Sequence, residues 1–362
     1  MSIKIIHVIS SLSRGGRERQ LASIVANTDQ RKYPTKMIIL NDTVNSYIDE
    51  YGLHQRIIKV KATKRFERIL ELHRILKKEK PDVVYTWGNI ESVSVLLVKP
   101  LHRFRFINGS IRHGIRSSKT SHYFRTMILH MSRNIVANSY AGLRANNLRR
   151  GNVLYNGIED KFIGSNTIPE HKQKQKLGLP VAPDTVVFIS IANLVPYKDY
   201  FSVLHAMKKL KDEGYCFYYI ILGDGPMREE IEKCIEQYNL IENVSIVGNV
   251  ENVHEYLRIS DIFIHSSKGE GCSNAVLEAM ASGLPVIASR TGGTPEIVSE
   301  ENGFLFEYKN VTEIKNNLSF CIKNRDRCRE FGNKSITTIR ERFSIQAMMS
   351  NYYTILNIVY DS

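Results

Sequence analysis

The sequence predicts an α/β protein made of two Rossmann-like domains, each a parallel sheet covered by helices. Three observations carry this expectation. Short β-rich runs alternate with helical patterns along the chain. The alternation lapses once, over residues 164–184, and then restarts. The length, 362 residues, suits two domains of roughly 150 each.

Ile3–Ile9 is the first strand, followed by a Ser/Gly turn and a helix from about Arg17 to Ala26. Lys36–Leu40 is the second strand. In Phe66–Lys78 the residues Ile69, Leu72, Ile75 and Leu76 recur at helical spacing, and Pro81 ends the pattern. Asp82–Trp87, Phe104–Asn108, Asn134–Asn138 and Asn152–Tyr155 are further strands. The stretch GSNTIPEHKQKQKLGLPVAPD is polar and contains three prolines, which marks an interdomain connection. Beyond it come the strand Thr185–Ile191, a helix over Phe201–Lys211 and the strand Phe217–Leu222. A helix over Met227–Tyr238 follows, then the strands Val244–Val247, Ile262–His265 and Pro285–Ser289. The tail is helical. The expected domains are therefore 1–165 and 185–340 with a linker at 166–184, and a C-terminal helix over 341–362 crosses back to the first domain. Ligands of such sheets bind beyond the carboxyl ends of the strands, so the site is expected in the cleft between the two domains.

Charge divides the chain. The net formal charge is +13. Residues 1–180 hold 32 Lys/Arg against 13 Asp/Glu, a net of +19, and the remainder holds 18 against 24, a net of −6. A basic front half points to a phosphate-bearing partner: an anionic membrane surface, a phosphorylated substrate or nucleic acid. No apolar run approaches the roughly 20 residues that span a bilayer, and the N-terminus reads as a strand, not a signal peptide. The five cysteines contain no C-x-x-C pair, which disfavours a zinc module or a disulfide framework and suits a reducing cytoplasm.

The most informative text is SSKGEGCSNAVLEAMASGLPVIASRTGGTPEIV, Ser266–Val298. It reads strand end, glycine loop, helix, turn, strand, glycine loop and helix start. Ser273 or Asn274 suits the N-cap of the first helix. With Gly269 and Gly271 before it, the N-terminus of that helix is an anion site suited to a diphosphate. Glu278 lies inside this helix among Ala275, Val276, Leu277, Ala279, Met280 and Ala281. A carboxylate there needs a partner. Two vicinal ribose hydroxyls would serve, and an ion-paired structural role is the plainer alternative. Glu270, eight positions earlier on the glycine loop, favours the functional reading. Cys272 reads as a small packing residue more than a nucleophile, since no adjacent base is evident. His265 ends an apolar strand and reads as a satisfied core residue.

These motifs resemble the retaining family 4 glycosyltransferases of the GT-B fold, two Rossmann-like domains with parallel sheets facing a central cleft. Glu270 and Glu278 form the Glu–seven residues–Glu signature, and AMASGLPVIASRTGGTPEIV continues it. Ala192–Lys198, Leu222–Pro226, Val247–Val250, Gly15-Gly16-Arg17-Glu18, Pro81–Val84, His113-Gly114, Asn138-Ser139 and Asn156–Ile158 fall in family order. The resemblance implies a metal-independent transferase that uses a nucleotide sugar as co-substrate, UDP- before GDP-, and no cofactor. It implies that Glu278 binds ribose and Glu270 the sugar hydroxyls. Gly271, Cys272, Ser273 and Asn274 would meet the diphosphate and sugar through their backbone, and Lys198 the diphosphate. Gly248, Asn249 and Val250 would lie near the base, and Gly15 and Gly16 would let the first turn approach the donor or acceptor. It puts His113 near the transferred bond, so that His113, Glu270 and Lys198 are the candidate catalytic residues. Asn193 stands where the family often has Arg, which shifts charge onto Lys198. No Asp-x-Asp metal motif is present.

The implied setting is cytoplasmic and peripheral to an anionic membrane, with a lipid-linked or growing glycan of surface polysaccharide synthesis as acceptor. Basic clusters at Lys59–Arg68, Arg103–Arg116 and Arg144–Arg150, beside Val93–Val98 and Phe104–Phe106, fit that docking. The rival readings are a nucleotide-sugar epimerase, a non-catalytic sugar-nucleotide-binding relative and a basic nucleic-acid-binding protein. Nothing resembling an RNA-binding aromatic motif or a helix-turn-helix supports the last.

Overall fold

The computed structural model describes residues 2–41, 47–114, 119–164 and 185–361, and the expected linker at 166–184 lies outside them. The chain forms two compact units, Met1–Gly157 with Ile345–Ser362 and Ile158–Ser344. Residues 158–164, expected in the first domain, are tied to the second. Ile158 N–H donates to the Phe343 carbonyl at 2.8 Å, and Gly164 N–H to the Ala281 carbonyl at 2.9 Å.

The first unit comprises β1 (Ile5–Ile9), α1 (Gly16–Asn27), β2 (Thr35–Ile39), β3 (Ile57–Lys59), α2 (Arg65–Glu79), β4 (Val83–Thr86) and α3 (Asn89–Val98). It continues through β5 (Arg105–Ile111), α4 (Lys119–His130), β6 (Asn134–Ala137), α5 (Tyr140–Ala145) and β7 (Asn152–Val153). Its sheet runs β3-β2-β1-β4-β5-β6-β7, all parallel. β1 and β4 are buried along their whole length, as strands covered on both faces must be. β3 and α3 were not among the expected elements. β3 is three residues long, and the apolar VSVLLV run of α3 carries no clear helical period.

The C-terminal helix Ile345–Asp361 packs in this unit and completes a polar network in its core. His7 is fully buried on β1. Trp87 Nε1–H donates to His7 Nδ1 at 3.0 Å, so a neutral ring carries its proton on Nε2, 2.9 Å from the Tyr352 hydroxyl. Burial, with the Arg112 guanidinium as a second cause, pushes the His7 pKa down to about 3. Arg112 itself lies over the Trp87 ring, 4.1 Å from its centroid.

The second unit runs its sheet β10-β9-β8-β11-β12-β13, also parallel, from β8 (Val186–Ile191), β9 (Phe217–Leu222), β10 (Val244–Gly248), β11 (Ile262–His265), β12 (Val286–Ser289) and β13 (Gly303–Phe306). Helices follow most of these strands, and Phe188, Tyr219, Phe263 and Phe306 fill its core. In both sheets the strand order reverses beside the first strand of the unit, between β1 and β4 and between β8 and β11.

The neutral His7 makes the first unit acid-sensitive. Its folded pKa lies below the unfolded value of about 6.5, so the stability it permits is present above that pH. Below it, stability falls by about 1.4 kcal/mol per pH unit. Denaturant titrations between pH 7.5 and 5 should show this slope in the parent and a clearly flatter one in His7→Gln; equal slopes would exclude His7 as the titrating group.

Candidate active site

The second unit gathers its chemistry at the reversal between β8 and β11. The loop after β8 is fixed from beneath by β9. Leu194 N–H donates to the Asp224 carbonyl at 3.0 Å and Met227 N–H to the Leu194 carbonyl at 3.0 Å. Gly223 sits at φ +140 where a Cβ would come within 2.0 Å of the Ala192 carbonyl oxygen, so that position admits only glycine. The loop then lies alongside the end of β11. Lys198 and Ser267 form an antiparallel bridge, Asp199 N–H donates to the Ser266 carbonyl at 3.1 Å, and Lys268 N–H to the Tyr197 carbonyl at 2.8 Å. Asp199 also caps the helix Tyr200–Asp212 by accepting from Ser202 N–H.

This strap delivers Lys198 to Glu270. Lys198 Nζ donates to Glu270 Oε1 with the Lys198 side chain 6% exposed and that of Glu270 24% exposed. His265 Nε2 stands 3.4 Å from the other oxygen, Oε2, outside good hydrogen-bond geometry. Burial opposes ionisation of Glu270, but His265 and Lys198 overcome it and hold the carboxyl well below the usual range. Burial and the Lys198 charge push the His265 imidazole down, so at neutral pH it is uncharged. The result is an ionised, acceptor-only carboxylate beside an ammonium with donor capacity to spare.

The backbone of Glu270 is held from the second glycine loop. Gly293 N–H donates to the Glu270 carbonyl at 2.8 Å. Gly292 has φ +55, and a Cβ there would fall 2.2 Å from that same oxygen. Ser289 Oγ and Thr291 Oγ1 donate to the Ser267 carbonyl at 2.7 and 2.6 Å. The loop bearing Glu270 is thus braced on both sides.

Glu270 leads into the helix Asn274–Ala281. Ser273 occupies the N-cap, but its side chain makes no capping bond, contrary to the sequence expectation. Its backbone φ of −76 and ψ of 119 are those of an ordinary cap. Glu278 is 7% exposed, as the apolar surroundings predict, and its carbonyl accepts from Ser282.

Of the predicted residues, Lys198 and Glu270 are in direct contact. Gly271, Cys272 and Ser273 are buried on the same loop, and Asn274 starts the helix. Asn193 is exposed on the loop after β8. Gly248 ends β10 at φ +89, and its carbonyl accepts from Gly223 N–H at 2.8 Å; Asn249 and Val250 follow it. His113, Gly15 and Gly16 belong to the first unit. His113 is exposed just past β5. Gly15 is extended, at φ −160, and the nearest obstacle to a side chain is the Glu18 carboxylate, so its backbone does not itself demand glycine. His265, read from sequence as a satisfied core residue, is part of the site. Its place at the last position of β11, five residues before Glu270, was the available signal.

Comparisons with known proteins agree with this architecture. The family model described as "Glycosyl transferases group 1" matches residues 171–338. The putative glycosyltransferase EpsF of Bacillus subtilis is 25% identical over 307 residues, 79% of this chain and 79% of that protein. The O-antigen biosynthesis glycosyltransferase WclY of Escherichia coli is 21% identical over 98% of each. Among solved structures, Anabaena HepE in complex with UDP superposes with a TM-score of 0.84 at 19% identity, over 99% of this chain and 100% of that one, a likeness of fold. Residues 171–338 thus resemble the group 1 glycosyltransferases, the relatives that match most of the chain are named as glycosyltransferases, and the fold is GT-B.

Proposed function

We propose that the protein is a retaining, metal-independent glycosyltransferase. It moves a sugar from a UDP-sugar to a lipid-linked or growing glycan in surface polysaccharide synthesis. The observation that carries the reading is the buried Lys198–Glu270 pair at the β8/β11 reversal, directly before the helix Asn274–Ala281. As the bond from the sugar to the β-phosphate breaks, negative charge grows on the departing diphosphate. Lys198 and the amino end of that helix are the groups to stabilise it without a metal ion. Glu270, ionised and braced, accepts hydrogen bonds from the sugar hydroxyls, and Glu278 takes the ribose. The UDP bound by HepE supports a uridine donor, and the names of EpsF and WclY place those relatives among glycosyltransferases, WclY in O-antigen synthesis.

The acceptor side of the proposal rests on the first unit. It holds 28 Lys/Arg against 11 Asp/Glu, a net of +17, and it exposes apolar residues, among them Phe66, Ile90, Leu97 and Leu101. Among the described residues no helix is long and apolar enough to cross a membrane. We place the protein on the cytoplasmic face of an anionic membrane, held peripherally by this surface.

Four measurements test the reading. Lys198→Ala and Glu278→Ala should each lower transfer at least about tenfold, and wild-type rates in both would refute the assigned roles. The Lys198→Met/Glu270→Gln double variant should still fold, since both partners of the pair are removed together. A thermal-shift panel of UDP, GDP, ADP and CMP should single out UDP, which at 100 times its Kd adds roughly 2.7 kcal/mol. Transfer should persist at full rate in excess EDTA, and a rate restored only by added divalent ion would end the metal-independent proposal.

A further inference from the structure

The first unit contains a cavity of about 560 Å³, within the range of roughly 300–1,000 Å³ typical of small-molecule sites. Ser10, Asn41 and Asn89 border it, so it opens just past the carboxyl ends of β1, β2 and β4. That is where the strand order of this sheet reverses, the favoured ligand position in such folds. Leu72 of α2 and Val93 and Leu97 of α3 supply apolar walls.

The polar complement of the cavity is cationic. Arg65, Arg68 and Arg125 line it, and no carboxylate does among the described residues. Arg68 is fixed to its own loop, with Nε donating to the Ala62 carbonyl at 3.0 Å and Nη2 to the Thr63 carbonyl at 2.7 Å. Glu91 is engaged elsewhere. Its Oε1 accepts from Ser10 N–H and Oγ, both at 2.7 Å, and lies 4.0 Å from Arg17. Arg125 differs from all of these. It is 6% exposed, and its Nε and Nη2 are enclosed without a hydrogen-bond partner among the described residues. Asn89 Oδ1, on the same lining, is likewise without one. A guanidinium cannot shed its proton to escape this cost, so the arrangement is that of a site made for an anion.

We propose that this cavity binds the phosphate end of an apolar-chain lipid phosphate, with Arg125 as the phosphate ligand. The chain runs along the Leu72, Val93 and Leu97 wall and leaves over Ile90 and Leu97, which are 67% and 59% exposed. The inference deepens the acceptor reading above and rests on it, by naming the lipid-phosphate class and the place where it is seated. Neither half of the cavity suffices alone: apolar walls do not select an anion, and three arginines do not need such walls.

The test is calorimetric titration of the full chain with farnesyl phosphate, farnesol and inorganic phosphate separately. Farnesyl phosphate should bind at least about tenfold more tightly than either fragment, and R125M should lose about tenfold or more of that affinity. R125M without ligand should melt no lower than the parent, because an unpaired buried charge is removed. The proposal is overturned if farnesyl phosphate binds no better than farnesol, if R125M binds it as well as the parent does, or if R125M melts well below the parent. The UDP thermal shift, read on the same samples, reports the donor site independently. Its survival alongside failed farnesyl phosphate binding would reject the cavity alone.

Discussion

The strap from Tyr197 to Asp199 laid against Ser266–Lys268 is the constraint on which the second unit's chemistry depends. It is a short piece of irregular backbone that behaves as an extra strand at the mouth of the sheet. Without it, Lys198 would be a long, mobile side chain on a loop, worth little as a stabiliser of charge. With it, the ammonium is buried and aimed. A buried ion pair is weak evidence of added stability, since desolvation consumes much of the Coulomb gain. Here its value lies in position. The carboxylate fixes the ammonium, the ammonium keeps the carboxylate ionised, and the two glycine loops keep both from relaxing away.

The same logic explains why glycine is placed where it is. At Gly223 and Gly292 a Cβ would strike a backbone oxygen, at 2.0 and 2.2 Å, and backbone cannot step aside as a side chain can. Each glycine closes one loop against the next, Ala192 in one case and Glu270 in the other. Gly15 is different in kind, because only the mobile end of Glu18 lies near it. Glycines of equal prominence in the sequence therefore have unequal structural necessity.

Most strands were legible because buried parallel strands are written as uninterrupted β-branched and aromatic runs between turn residues. The helices over Arg65–Glu79 and Tyr200–Asp212 were legible from their period. The pairing of Glu270 with Lys198 was only half legible. The spacing of Glu270 and Glu278 marks the loop and helix, but Lys198 is 72 residues away, and its approach depends on main-chain bonds that any sequence can make. His265 was missed for a related reason, since an apolar strand conceals a functional last residue. Arg125 was invisible, because its isolation is a property of everything that fails to surround it. β3 and β13 went unread, and the apolar VSVLLV run of α3 concealed its helical period.

The two units share a topology and put a buried cation at the same place in it, past the carboxyl ends of the strands where the order reverses. They differ in how the charge is managed. Lys198 is a compact point charge with its counter-ion built in, so the site is nearly neutral and its remaining donors are available to a transient, growing negative charge. Arg125 is planar and permanently charged, and no acceptor is built in for its Nε or Nη2 among the described residues. A paired lysine suits a step in which charge appears and departs. An unpaired arginine suits a partner that arrives already charged and stays through the turnover. The uneven distribution of charge, 28 Lys/Arg against 11 Asp/Glu (+17) in the first unit and 22 against 26 (−4) in the second, follows the same division. The second unit carries its counter-ions within itself, and the first leaves its excess to be met from outside.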